Sequence, residues 1–140
     1  MPAGPDEAAA GEGPRHQARE RALGLLYEAE IKHVGPEELL AVLPVAPDPF
    51  ATSLVRGVAR HGARIDELLS AAAVGWEVER MAAVDRAVLR LAVYELLEEP
   101  DIPVAVVLDE AVELAKQYST EESGRFVNGV LATVAADVRR

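Results

Sequence analysis

The 140-residue chain has no cysteine, which excludes a disulfide framework and thiolate metal sites and fits a reducing compartment. It has few aromatics, one Trp, three Tyr and two Phe, so each is first a candidate for the core. No apolar run approaches the ~18 residues that would span a bilayer, and the N-terminus lacks the basic-then-apolar pattern of a signal peptide. A cytoplasmic protein without membrane contact is expected. Cations are short as well: 14 Lys and Arg stand against 24 Asp and Glu, a net charge of −10. Such a surface repels phosphate and argues against broad, non-specific nucleic-acid binding. His-Glu-x-x-His, a Gly-rich phosphate loop and Gly-x-Ser-x-Gly are all missing, and the histidines at 16, 33 and 61 lack metal-ligand spacing. Neither enzyme chemistry, a metal nor a cofactor is expected.

Half of the residues are hydrophobic, enough for one domain with its own core. Residues 1–13 carry Pro and Gly without large apolar side chains and read as a disordered leader. The remainder, 14–140, reads as a single helical domain with halves at about 14–74 and 75–140. Apolar residues recur at helical spacing over about 15–33, 36–43, 49–73, 77–81, 83–98, 103–118 and 119 to the end. The expected fold is all-α, with about seven helices in two small bundles that share one compact domain. The 83–98 helix is apolar nearly all round, apart from Asp85, Arg86, Arg90 and Glu95, and belongs at the centre. Gly57 and Gly62 inside 49–73 mark close packing or a bend. Ser119-Thr120-Glu121-Glu122 has capping-box spacing, with Ser119 reaching the amide of Glu122.

Two segments carry candidate chemistry. Residues 15–21 hold three Arg and one Glu, a net of +2, which leaves −12 for the rest of the chain. Cations in a first helical turn oppose the macrodipole, so a ligand anion is a reason to place them there. Arg also suits phosphate forks and base stacking. Tyr27, two turns beyond Arg19, lies roughly on the same side. The second segment is Ser123-Gly124-Arg125-Phe126-Val127-Asn128-Gly129-Val130-Leu131. Its apolar residues do not alternate, so the Asn-Gly pair is not a hairpin turn. Two readings stay open. Either Gly129 admits a neighbouring helix while Asn128 ties its end, or the helix presents Arg125 and Phe126 to a ligand.

Four blocks in order resemble the NusB family of bacterial transcription antitermination factors. They are Arg15-x-x-Ala18-Arg19-Glu20-x-Ala22-x-x-x-Leu26-Tyr27, then Val84-Asp85-Arg86-Ala87-Val88-Leu89-Arg90 with Tyr94-Glu95-Leu96. Pro103-x-x-Val106-x-x-Asp109-Glu110-Ala111-Val112-Glu113-Leu114-Ala115-Lys116 and Phe126-Val127-Asn128-Gly129-Val130-Leu131 complete the match over about 15–135. The resemblance implies an RNA-binding factor that pairs with NusE, a small-subunit ribosomal protein. The pair would bind single-stranded boxA RNA of nascent transcripts, notably ribosomal-RNA leaders, within an RNA polymerase complex with other Nus factors. By position, the family's RNA contacts fall on Arg15, His16, Gln17, Arg19 and Tyr27, on Asp85 where relatives often carry Glu, and on Glu122, Ser123, Arg125 and Phe126. His16 and Gln17 stand where Arg can occur, which implies fewer phosphate contacts and weaker RNA binding by the chain alone.

Two other readings compete. The same fold forms the RNA-binding part of ribosomal-RNA cytosine methyltransferases, but no methyltransferase domain follows Arg140, which ranks that reading lower. A helical protein-interaction module, including a homodimer, is the third. The RNA reading joins Arg15, Arg19 and Phe126 into one site where the first and last helices meet. With Arg19 exposed, Arg19→Ala should weaken RNA binding at almost constant stability. Three phosphate contacts, from Arg15, Arg19 and Arg125, give a log–log salt slope near −2 at about 0.7 per contact. Folding itself should need no metal: a melting curve recorded with excess chelator is expected to superimpose on one recorded without it.

Overall fold

Helix starts and stops follow local chemistry throughout. The computed structural model describes residues 13–139. Nearly all of the proposed leader, residues 1–12, lies outside the described residues. Gly13, at φ 91°, leads into α1 (Pro14–Lys32), where Pro14 occupies a first-turn position that needs no N–H. His33 ends α1 in the left-handed region at φ 55°, and its cap amides return to the carbonyls of Ala29 and Glu30. α2 (Pro36–Val42) begins with another Pro, followed by Glu37 and Glu38, which the helix dipole favours. Asp48 caps α3 (Pro49–Arg60) by accepting from the amides of Phe50 and Ala51. α4 (Gly62–Ala72), a 3-10 turn at Val78–Arg80, α5 (Ala83–Glu98), α6 (Val104–Tyr118) and α7 (Glu121–Val138) complete the chain. No strand occurs among the described residues. The all-α fold is as expected.

Three local expectations change. The helix anticipated over 49–73 is two helices, interrupted at His61. The segment at 77–81 is only a three-residue 3-10 turn. At α7 the cap is Thr120, not Ser119: its Oγ1 accepts from the Ser123 amide at 3.0 Å. The expected capping box is thus replaced by a single Thr120 cap, because Ser123, not a Glu, stands three residues after it and turns its own hydroxyl to Asp85.

α5 is the hub. It packs against α1, α3, α4, α6 and α7, and one hydrophobic core runs through residues of both halves of the chain. Leu89, Val93 and Leu96 are almost wholly enclosed. The approach of α3 to α5 depends on Gly57, where an added Cβ would lie 2.1 Å from Cε1 of Tyr94. The Asn-Gly pair of α7 plays no such part. Asn128 and Gly129 are exposed, and nothing lies within 4 Å of a Cβ built on Gly129, so the expectation that it admits a neighbouring helix is corrected. The α7 glycine that meets a neighbour is Gly124, 3.0 Å from Cγ of Lys116.

The two glycines should therefore respond oppositely to alanine. Gly57→Ala overpacks against the buried Tyr94 ring and should destabilise by about 1–3 kcal/mol. Gly129→Ala removes unfolded-chain freedom in open space and should stabilise by about 0.5–1 kcal/mol. Urea unfolding of both variants checks the pair.

Candidate functional site

The basic first turns of α1 do not form a solvated cationic face. Arg19 is 3 % exposed, and its guanidinium forks onto Glu95 of α5, with Nη2 to Oε1 at 2.7 Å and Nε to Oε1 and Oε2 at 3.0 and 3.1 Å. This corrects the expectation of an exposed Arg19. The sequence carried a hint: a glutamate in an almost wholly apolar helix must find a cation or lose its charge. Burial pushes the Glu95 carboxyl above its ordinary value, while the bond and charge of Arg19 pull it back. His16 is buried too, with Nδ1 2.6 Å from Oε2 of Glu110 on α6 and Nε2 3.6 Å from Glu20. Arg15 lies over the Phe50 ring with its guanidinium carbon 4.3 Å from the centroid. Gln17 and Tyr27 face solvent.

One turn further on, Glu20 reaches the end of α6. It accepts from the Tyr118 hydroxyl and, at 3.3 Å, from the Gln117 amide; the first of these bonds holds the Tyr118 phenol above its usual value. The basic segment is thus tied to α5 and α6. α1 and α7 do not pack as a helix pair: α7 lies on α6, α5 and α4. The expected meeting of the first and last helices is corrected, and the connection runs through α5 and the α6–α7 corner.

That corner and the first turn of α5 form a pocket of about 270 Å³. Asp85, Glu122, Ser123 and Phe126, four of the ten sequence candidates, line it together. Thr120 Oγ1 donates to Ser123 Oγ at 3.0 Å, and Ser123 Oγ donates to Asp85 Oδ2 at 3.0 Å. Arg125 points elsewhere, into the groove between α6 and α7 lined by Asp109, Lys116 and Asn128.

Sequence reasoning missed Trp76. It follows Gly75, whose φ of 85° turns the chain after α4, and its ring lies on Phe126 with centroids 5.4 Å apart at 58°. It remains 58 % exposed. The signal was available: the sole tryptophan sits in a Gly turn outside every apolar stripe. Arg86 holds this segment down, donating to the carbonyls of Val78, Glu79 and Met81 at 3.1, 3.2 and 2.8 Å and pairing with Glu30.

The NusB family matches residues 16–136, and the chain belongs to that family. The transcription antitermination protein NusB of Acidothermus cellulolyticus is 50% identical over 127 residues, covering 88% of each chain. T. maritima NusB superimposes with a TM-score of 0.81 at 38% identity, covering 90% of this chain and 93% of that one. A crystal structure of the antitermination factors NusB and NusE in complex with dsRNA gives a TM-score of 0.75 at 28% identity over 88% of this chain and 96% of that one. No helix of the described residues is long and apolar enough to cross a membrane.

Arg19→Ala leaves Glu95 buried without its cation and should cost about 3–5 kcal/mol, while the double change Arg19→Met with Glu95→Leu should recover most of that. The loss should depend on pH. Without Arg19 the Glu95 carboxyl rises further, and a raised folded pKa contributes stability that is lost as pH rises through it. The Arg19→Ala deficit is therefore smaller in acid than at pH 8, as denaturant midpoints across that range would show.

Proposed function

We propose that this chain is a transcription antitermination factor that binds single-stranded boxA RNA of nascent transcripts, notably ribosomal-RNA leaders, together with NusE. In this reading it works in the cytoplasm within an RNA polymerase complex containing other Nus factors, and it recognises RNA without catalysing a reaction. The observation that carries the reading is the convergence of Asp85, Glu122, Ser123 and Phe126 from two helices onto one pocket. The family match and the likeness to a NusB–NusE–dsRNA complex support it. Within the interface, Arg15, Gln17, Tyr27 and Arg125 are the outer contacts. Arg19 and His16, being buried, position α1 through Glu95 and Glu110.

Binding of a boxA-type RNA, measured with and without NusE, tests the reading. Affinity should rise with NusE present, and failure to bind in either condition would overturn it. Removing Arg19 from the phosphate count leaves Arg15 and Arg125, so the expected salt slope becomes about −1.4. A slope steeper than about −4 would mean that a larger cationic surface takes part.

Phe126→Ala separates base stacking from core packing. Phe126 is half-buried and rests on Trp76. A stacking ring should lose about 1–3 kcal/mol of RNA binding. Its stability cost should stay below the about 3–5 kcal/mol of a core phenylalanine. Parallel melting and RNA titration of the variant check both halves of this expectation.

A further inference from the structure

The far end of α5 carries a second guanidinium fork. Arg139, the residue that follows α7, donates from Nε to the carbonyl of Leu96 at 2.7 Å and from Nη1 to that of Ile102 at 3.0 Å. Its Nη2 donates to the carbonyls of Glu95 and Glu99 at 3.2 and 2.9 Å. The last four carbonyls of a helix have no intrahelical partner, and a cap or water must satisfy them. α5 lacks the usual glycine closure: its cap residue is Glu99, at φ −120°. Its end is acidic as well, with Glu98, Glu99 and Asp101 after Glu95, a sign of charge that the helix dipole disfavours there. Arg139 answers both needs. A lysine ammonium is a compact charge with three donors, whereas the planar fork of Arg spreads five, enough to reach several carbonyls together.

The place of this fork bears on α1. Glu95 of α5 receives Arg19, and Glu110 of α6 receives His16. Those carboxylates stand on two helices joined by the turn at 99–103. Arg139 bonds the backbone on both sides of that turn, at Glu95, Leu96 and Glu99 before it and at Ile102 just ahead of α6. It therefore fixes how α6 leaves α5. Arg19 and His16 are three positions apart on one rigid helix, about 4.5 Å along its axis. They can engage both carboxylates only if α5 and α6 keep the matching spacing. Both pairs are buried, so water cannot relieve a mismatch.

We propose that Arg139 is a positioning residue for RNA binding: by holding the end of α5 to the α5–α6 turn, it sets the spacing of Glu95 and Glu110 and so the seat of the α1 turns that carry Arg15 and Gln17. This rests on the RNA reading above and adds a residue that acts on the interface through Glu95 and Arg19 without touching RNA. Its own bonds all go to backbone carbonyls of residues 95–102.

Arg139→Gln in the full chain removes the fork and is measured at a temperature where every variant is folded. Its melting temperature should fall by roughly 5–15 °C. The Nε–H resonance of Arg19, which the bond to Glu95 shields from water, should shift and exchange faster. Affinity for a boxA-type RNA with NusE present should fall about 2- to 30-fold. Leu39→Ala supplies the control, because a cavity under α2 lowers stability without touching either carboxylate. That variant should melt early yet keep the parent's Arg19 resonance and RNA affinity. Arg139→Lys should recover little, since it restores the charge and not the fork. In a chain that already carries Arg19→Met with Glu95→Leu, Arg139→Gln should lose most of its effect on RNA, because the route through that pair is cut. An Arg139→Gln chain with unchanged Arg19 resonance and RNA affinity would overturn the role and leave the RNA reading intact. So would full rescue by Arg139→Lys, or an equal loss of affinity with the Arg19–Glu95 pair already removed. A parent chain that binds no RNA even with NusE would overturn both.

Discussion

The fork of Arg19 on Glu95 is the constraint on which the remaining arrangement depends. α5 is enclosed on every side, so its one inward glutamate could be kept ionised only by a cation delivered from a neighbour. α1 delivers it, and the geometry of a guanidinium on a carboxylate fixes where α1 lies along α5. His16 on Glu110 makes a second tie to α6. With those two contacts made, the first turns of α1 can present only Gln17 and the flanking arginines outward.

The same central helix organises the other end of the domain through its first turns. Arg86 collects three carbonyls of the 3-10 segment, which would otherwise have few partners, and so holds the chain that carries Trp76 and Met81 beside α7. Asp85, one residue earlier, points its carboxylate at the hydroxyl ladder of the α6–α7 corner. Neighbouring residues on one helix thus divide two tasks, anchoring a loop and forming the floor of a pocket.

Charge bears on how such a domain can recognise RNA under the proposed reading. With a net charge of −10, 14 Lys and Arg against 24 Asp and Glu, and with Arg19 and Arg86 held in buried ion pairs, attraction for phosphate is weak. Affinity then has to come from stacked bases, hydrogen bonds to their edges and a partner that supplies more surface. An acidic chain built this way discriminates against nucleic acid in general, which a basic one does not.

Much was legible in the sequence because it depends on near neighbours. Helical periodicity, the Pro and Gly punctuation and the central placement of 83–98 follow from residues a few positions apart, and the family blocks kept their order and spacing. The interruption at His61, beside Gly62, was legible only as close packing or a bend, and the cap of α7 fell one residue from the expected Ser119. Helix ends are the least sharply specified local feature. What only the tertiary structure decided was which polar side chains remain available. Arg19 and Glu95 are 76 positions apart, and His16 and Glu110 are 94 apart; no local pattern says that these pairs will be dry and matched. The lone Trp76 likewise joined Phe126 only when the turn after α4 met the start of α7. Sequence determined the elements and their apolar faces, since those obey short-range periodicity. Packing decided which charges are consumed in holding the helices together and which residues face a ligand, since burial is a property of the whole fold.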